Sequence, residues 1–179
     1  MSLDVLKQLA EQFGRALLRT HSERGDDTAV IEAAAIRAVC LWLRDTPELA
    51  FDMLTDLTAV DYLEQGRRPR FEVVYHLYSL PRRHRVRLKV GVDDPAAEVD
   101  TVSDLWRNGN WLEREVWDLY GIKFRNHPDM RRILLYEAFE GHPLRKDYVK
   151  DRRQPLVRRP AGEIAAALGQ RPAARRSLI

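Results

Sequence analysis

The stretch from Trp111 to Lys150, WLEREVWDLYGIKFRNHPDMRRILLYEAFEGHPLRKDYVK, constrains this chain more than any other feature. It sets charged, aromatic and turn-forming residues in an order that no other segment approaches. Its first half has helical spacing from Asn110 to about Tyr120, with Leu112, Val116, Leu119 and Tyr120 on one face. Gly121 stands where a left-handed residue commonly closes a helix. Arg114 and Asp118, four apart on the opposite side, are placed to pair, whereas Glu113 and Glu115, two apart, project in different directions. The second half, Ile122 to Lys150, holds His127-Pro128-Asp129 and Gly141-His142-Pro143-Leu144-Arg145-Lys146-Asp147, with Arg131 and Arg132 between them. Its His-Pro steps favour extended or turned backbone, so this half reads as ordered loop. Ile133, Leu134, Leu135, Tyr136 and Phe139 are too apolar for a free linker and need a surface to cover, on the chain's own sheet or on a partner.

The chain before this stretch reads as a scaffold. Leu3, Leu6, Leu9, Phe13 and Leu17 recur at helical spacing and predict an amphipathic helix ending near Arg19. His21 to Asp27 reads as a loop and Thr28 to Ile31 as a short strand. A second helix spans Ala34 to Arg44, stopped by Asp45-Thr46-Pro47. Strand chemistry follows over Phe51 to Leu63, then Phe71 to Leu77, then the Pro81 to Arg83 loop. In the next strand Val86, Leu88 and Val90 face one way and Arg85, Arg87 and Lys89 the other, the pattern of a half-buried antiparallel strand near an edge. After a loop from Gly91 to Glu98, Val99 to Val102 predicts a brief strand, and Ser103 a cap for a helical turn through Trp106. The expectation is an α+β fold, a ferredoxin-like antiparallel sheet with helices on one face, over residues 1–124. Residues 125–179 then form an extended, loop-rich partner-binding segment and basic tail.

Charge divides the chain the same way. Residues 1–144 carry 20 Lys and Arg against 24 Asp and Glu, and residues 145–179 carry 10 against 3. A basic tail suits nucleic acid, anionic lipid or acidic protein surfaces. Its prolines, Pro155, Pro160 and Pro172, leave only the short helical segment Glu163 to Leu168, so it is expected to order only on a partner. The one cysteine, Cys40, lies in an apolar run, cannot form an internal disulfide and suits a reducing compartment. Apolar runs are too short to span a bilayer, and no targeting pattern opens the chain. There is no phosphate-binding glycine loop, dinucleotide fingerprint or cysteine framework for an iron–sulfur cluster. Glu115, Asp118, His127 and His142 lack metal-ligand spacing, the carboxylates lack a glycosidase-like arrangement, and the strands lack an RNA-binding aromatic motif.

Glu113-Arg114-Glu115, Asp118-Leu119-Tyr120-Gly121-Ile122, His127-Pro128, Arg131-Arg132-Ile133-Leu134 and Gly141-His142-Pro143-Leu144-Arg145-Lys146-Asp147-Tyr148 together resemble the signature of the 30 kDa subunit (C-subunit) family of proton-translocating NADH:quinone oxidoreductase, respiratory complex I. Phe51 to Tyr62 is similar to that family too, so the resemblance covers roughly residues 45–148, with Val149 standing where a proline often follows the aromatic residue. The resemblance implies a peripheral-arm subunit with no catalytic centre and no cofactor of its own. FMN, iron–sulfur clusters and quinone would belong to partner subunits. The partners it implies are the large quinone-site subunit (D-subunit family) and iron–sulfur subunits of the B and I families, without nucleic acid and without direct membrane insertion. It implies a place on the cytoplasmic side of the bacterial inner membrane. The corresponding subunit of a membrane-bound hydrogenase or other quinone-reducing complex would share the motif.

Overall fold

The computed structural model describes residues 4–151 and 153–155. The expected tail helix, Glu163 to Leu168, and the basic tail beyond residue 155 lie outside them, as does Leu3 of the first helical stripe. Helix α1, Val5–Phe13, begins where the Asp4 carboxylate accepts the Lys7 amide at 3.2 Å, an N-cap of the usual kind. It buries Val5 and Leu9 and gives way to Gly14, well before the expected end near Arg19. Leu17, which continues the helical stripe in sequence, instead opens strand β1, Leu17–Glu23.

β1 forms a hairpin with β2, Asp26–Ile31, where a loop was expected between His21 and Asp27. Arg24 and Gly25 both have positive φ (58° and 81°) at its two-residue tip, the backbone that matches strand twist in tight hairpins. Most of β1 faces solvent, so its sequence lacks the apolar alternation that marks a strand. A 3-10 turn, Ala33–Ala35, leads into α2, Ile36–Asp45, which buries Ile36, Val39, Cys40 and Leu43 on one stripe. Each such buried aliphatic side chain contributes about 1.5–3 kcal/mol of hydrophobic stabilisation, against which the entropy of ordering it must be set.

β3 (Met53–Asp61), β4 (Phe71–Ser79) and β5 (His84–Val92) form an antiparallel meander. The sheet order is β1-β2-β5-β4-β3, with β2 and β5 parallel. The fold is thus α+β, an antiparallel-dominated sheet whose one face packs with all three helices in a single hydrophobic core. β5 sits at the centre of the sheet, not near an edge as its Lys/Arg stripe suggested. Arg87 reaches Asp26 of β2 at 2.8 Å and Lys89 reaches Glu72 of β4 at 2.7 Å, so these cations bridge neighbouring strands across the helix-free face. Alternation reports one wet face and is silent about position in the sheet.

β6 (Glu98–Asp100) and β7 (Lys123–Arg125) pair in parallel as a small second sheet. Between them runs α3, Gly109–Tyr120, which packs chiefly on β3 and ends at Gly121 in the left-handed region (φ 77°). The chain after β7 folds back along α3.

Candidate functional site

The residues singled out from the sequence collect on α3 and on the segment that returns over it. An α-helix leaves its last carbonyls without intrahelical donors. Here Gly121 at the helix end and the downstream motif supply them. Gly121 donates to the Trp117 carbonyl (2.8 Å), His142 Nδ1 lies 2.9 Å from that of Asp118, the Leu144 amide donates to Leu119 (3.0 Å), and Arg145 Nη1 donates to Tyr120 (3.3 Å). Residues 141–145 are therefore a C-terminal cap built from a distant part of the chain, and Arg145 adds a positive charge at the negative end of the helix dipole. Gly121 must be glycine for two reasons: its φ is positive, and a Cβ there would lie 2.6 Å from the His142 ring. Pro143 follows His142 in the half-buried turn, and Gly141, also at positive φ (91°), accepts from Arg132 through its carbonyl. Burial foremost lowers the His142 pKa, aided by the charges of Arg132 and Arg145, against the Asp118 carbonyl bond that raises it.

Asp118 organises the other side of the helix. Its side chain is fully buried, and one carboxylate oxygen accepts the amides of Ile133 (3.1 Å), Leu134 (2.9 Å) and Leu135 (2.9 Å). The other takes Arg132 Nη1 at 2.6 Å. Burial pushes its pKa up, but the Leu135 amide, Arg132 and the remaining amides outweigh that and hold it below the ordinary value. Arg132 continues through Nη2 to the carbonyls of Phe139 and Gly141, under the rings of Trp117 and Phe139. The expected pairing of Arg114 with Asp118 does not form. Arg114 donates instead to the carbonyls of Arg131 and Arg132, both at 3.0 Å. Arg131 pairs with Asp129 at the surface, and Glu115 points to solvent, away from buried Glu113 as expected.

Glu113 meets the Thr101 hydroxyl and the Val102 amide, at 2.7 Å for the latter, beneath the turn after β6. His127, its side chain fully buried, stands 3.9 Å from it. The ring accepts the Asp129 amide through Nδ1 and faces the Asn110 carbonyl through Nε2, which pins the start of the returning segment, while Pro128 beside it is exposed.

A third cluster includes residues that the sequence did not single out. Arg70 grips Asp61 in a two-pronged, buried pair (3.0 and 2.8 Å) and also reaches Asp94 (2.7 Å) and Asp147 (2.8 and 3.1 Å). Arg145 joins it on Asp94, and the Lys146 amide donates to Asp61 at 2.9 Å. Burial raises the Asp61 pKa, but Arg70 and the amides of Lys146 and Leu63 overcome this and bring it to about 2. Arg70, immediately before β4 in an arginine-rich turn, gave no local signal. Asp61 lay inside the family-like stretch Phe51 to Tyr62 without a role to assign.

Ile133, Leu135, Tyr136 and Phe139 are half-buried, so the surface that this apolar run covers is the chain's own. Phe139 stacks on Tyr148 and meets Tyr136 edge-on. Leu134, Leu144 and Val149 remain 60%, 46% and 65% exposed, and Trp111 of α3 68%. Glu115, Asp118, His127 and His142 do not converge, and among the described residues no group of three or more His, Cys, Asp or Glu is placed to hold a metal ion. No helix among them is long and apolar enough to cross a membrane.

A family model described as respiratory-chain NADH dehydrogenase, 30 Kd subunit, matches residues 29–154. The NADH-quinone oxidoreductase C subunit of Geobacter sulfurreducens is 48% identical over 141 residues, covering 79% of this chain and 85% of that protein. Its counterpart in Roseiflexus is 47% identical over 150 residues (82% and 85%), and that of Acidithiobacillus ferrooxidans 45% over 152 (82% and 75%). Among solved structures, the trypsin-resistant fragment (1–134) of Nqo5 superposes with a TM-score of 0.56 at 33% identity, covering 71% of this chain and 99% of that one. The helix, its distant cap and the buried charges thus sit inside the region that the family model matches, and the chain belongs to the 30 kDa subunit family of respiratory-chain NADH dehydrogenase, complex I.

Proposed function

We propose that this chain is a non-catalytic structural subunit of the peripheral arm of NADH:quinone oxidoreductase, docking the large quinone-site subunit and neighbouring iron–sulfur subunits. It contributes to electron transfer from NADH to quinone only within the complex, on the cytoplasmic side of the membrane, and binds neither flavin nor iron itself. Residues 1–124 serve as scaffold and residues 125–179 as the partner-binding part. The observation that carries this reading is the way the returning segment is held. Its polar backbone is bonded to α3 and to buried charges, while Leu134, Leu144 and Val149 are left exposed. Apolar side chains on a rigidly anchored loop form the kind of surface that a stable partner covers.

The test is assembly. Leu134→Glu should leave the isolated subunit folded by circular dichroism yet lower its co-purification with the quinone-site subunit by about tenfold or more. The surviving complex should keep its turnover per mole. Undiminished co-purification, or stoichiometric flavin or iron retained by the pure folded subunit, would overturn the reading. The same pull-down, with partners identified by mass spectrometry, separates a complex I partner set from that of a related hydrogenase.

A further inference from the structure

Four carboxylates are buried among the described residues, and three of them hold a cation: Asp61 has Arg70 at 2.8 Å, Glu72 has Lys89 at 2.7 Å and Asp118 has Arg132 at 2.6 Å. Glu113, fully buried, does not. Its hydrogen-bond donors are a hydroxyl and one amide. His127 Nε2, at 3.9 Å, is beyond hydrogen-bond reach and is engaged with the Asn110 carbonyl at 3.1 Å, while Nδ1 accepts the Asp129 amide.

The other titratable groups facing Glu113 bring no positive charge. Asp104, in the turn before α3, is taken by Arg37 of α2. Cys40 of α2 and Tyr75 of β4 are both fully buried, and the Tyr75 hydroxyl has no hydrogen-bond partner. An ionised carboxylate in such a place lacks compensation, whereas the neutral acid fits it. As an acid, Glu113 can donate to Thr101 Oγ1 and still accept the Val102 amide.

We propose that Glu113 is a proton-operated latch: its neutral form holds the first half of α3 against the 101–103 turn, and loss of the proton loosens that contact and the adjoining His127 anchor of the returning segment. Burial pushes the Glu113 carboxyl up to about 7, with a small push from Asp104, against the lowering effect of Thr101 and Val102. The folded value lies above the unfolded one, so the latch's stabilisation is fully present below about pH 4.5 and is lost as pH rises to about 7. A shift of that size changes the unfolding constant by about two orders of magnitude. The device belongs to the chain itself and does not depend on the docking role.

The test uses the full-length chain. Urea unfolding of wild type and Glu113→Gln is compared from about pH 5 to about pH 8, and the difference between them cancels other titrating groups such as His76 and His142. The wild-type unfolding constant should rise about a hundredfold relative to the Gln variant across this range, with faster amide exchange at residues 101–103 and 127–129. Parallel pH curves would overturn the proposal. If Glu113→Gln does not fold, the 13C carboxyl shift of Glu113 in the wild type decides alone: a transition near neutrality supports the latch, and one in the ordinary glutamate range refutes it.

Discussion

Replacing Asp118 by alanine should detach the returning segment while leaving the core intact. The carboxylate accepts three consecutive amides and neutralises Arg132. Each amide that loses a hydrogen bond while buried costs about 1–3 kcal/mol, and stranding a buried charge costs about 3–5 kcal/mol. Those costs do not simply add. Arg132 keeps 15% of its side chain exposed and can swing outward, and residues 133–135 can open to water. Opening caps the penalty at the local unfolding free energy of the segment, so about 3–5 kcal/mol is expected for the whole substitution. Amide exchange of the full chain measures it directly. Protection at Ile133, Leu134 and Leu135 should fall by about two to four orders of magnitude. The amides of β4 and β5 should change far less, because the groups that Asp118 binds through its carboxylate all lie in the returning segment. Asp118→Asn should fall between: its carbonyl can still accept amides, but its NH2 would face the Arg132 donor. A loss of protection under about tenfold in the alanine variant would refute the assignment of Asp118 as the anchor.

Two further outcomes follow from the clasp and the cap. Arg70→Lys cannot reproduce the two-pronged grip on fully buried Asp61, nor reach Asp94 and Asp147 together, and should cost about 3 kcal/mol in denaturant unfolding at about pH 7. The wild-type advantage over this variant should be constant above about pH 4 and shrink as pH falls towards about 2, since the folded Asp61 value is depressed below the ordinary 3.8; an advantage independent of pH in that window would contradict the pairing. Gly121→Ala, which combines positive φ with a Cβ 2.6 Å from the His142 ring, should cost about 1–3 kcal/mol and disorder the His142 cap, read from a collapse of Leu144 amide protection; retained protection would show that the cap does not depend on this glycine.

The parts of the fold that were legible in sequence are those whose signal is local. α2, β5 and α3 show their burial as a period along the chain, β3 and β4 show strand chemistry in their β-branched and aromatic residues, and Gly121 announces its own helix end. What was not legible had either no apolar period or a misleading one. β1 is mostly wet and so reads as loop, and Arg24-Gly25 at its tip is not one of the dipeptides that mark a tight hairpin. Leu17 fell by chance on the stripe of α1 and lengthened it on paper to Arg19. The cations of β5 suggested an edge because exposed Lys and Arg often guard edges, but a central strand with one open face needs cross-strand partners as much as an edge needs protection.

The residues of the candidate site were legible, but their pairing was not, for a different reason, which is the arithmetic of partners. Arg114 and Asp118 have the spacing of an exposed helical ion pair, worth about 0.3–0.5 kcal/mol. A loop laid over a helix brings backbone amides and carbonyls out of water, and each left unpaired costs about 1–3 kcal/mol. Residues 131–135 present three such amides and two such carbonyls to α3. Asp118, acceptor only, takes all three amides, and Arg114, donor only, takes both carbonyls. Serving the loop therefore outweighs the local pair several times over. The same reasoning places residues 141–145 on the open carbonyls of α3, and Asp61, 85 residues before Lys146, beneath that residue's amide. Charged residues that look like a solvated helix face in sequence become, once a loop returns over them, the donors and acceptors that its backbone requires.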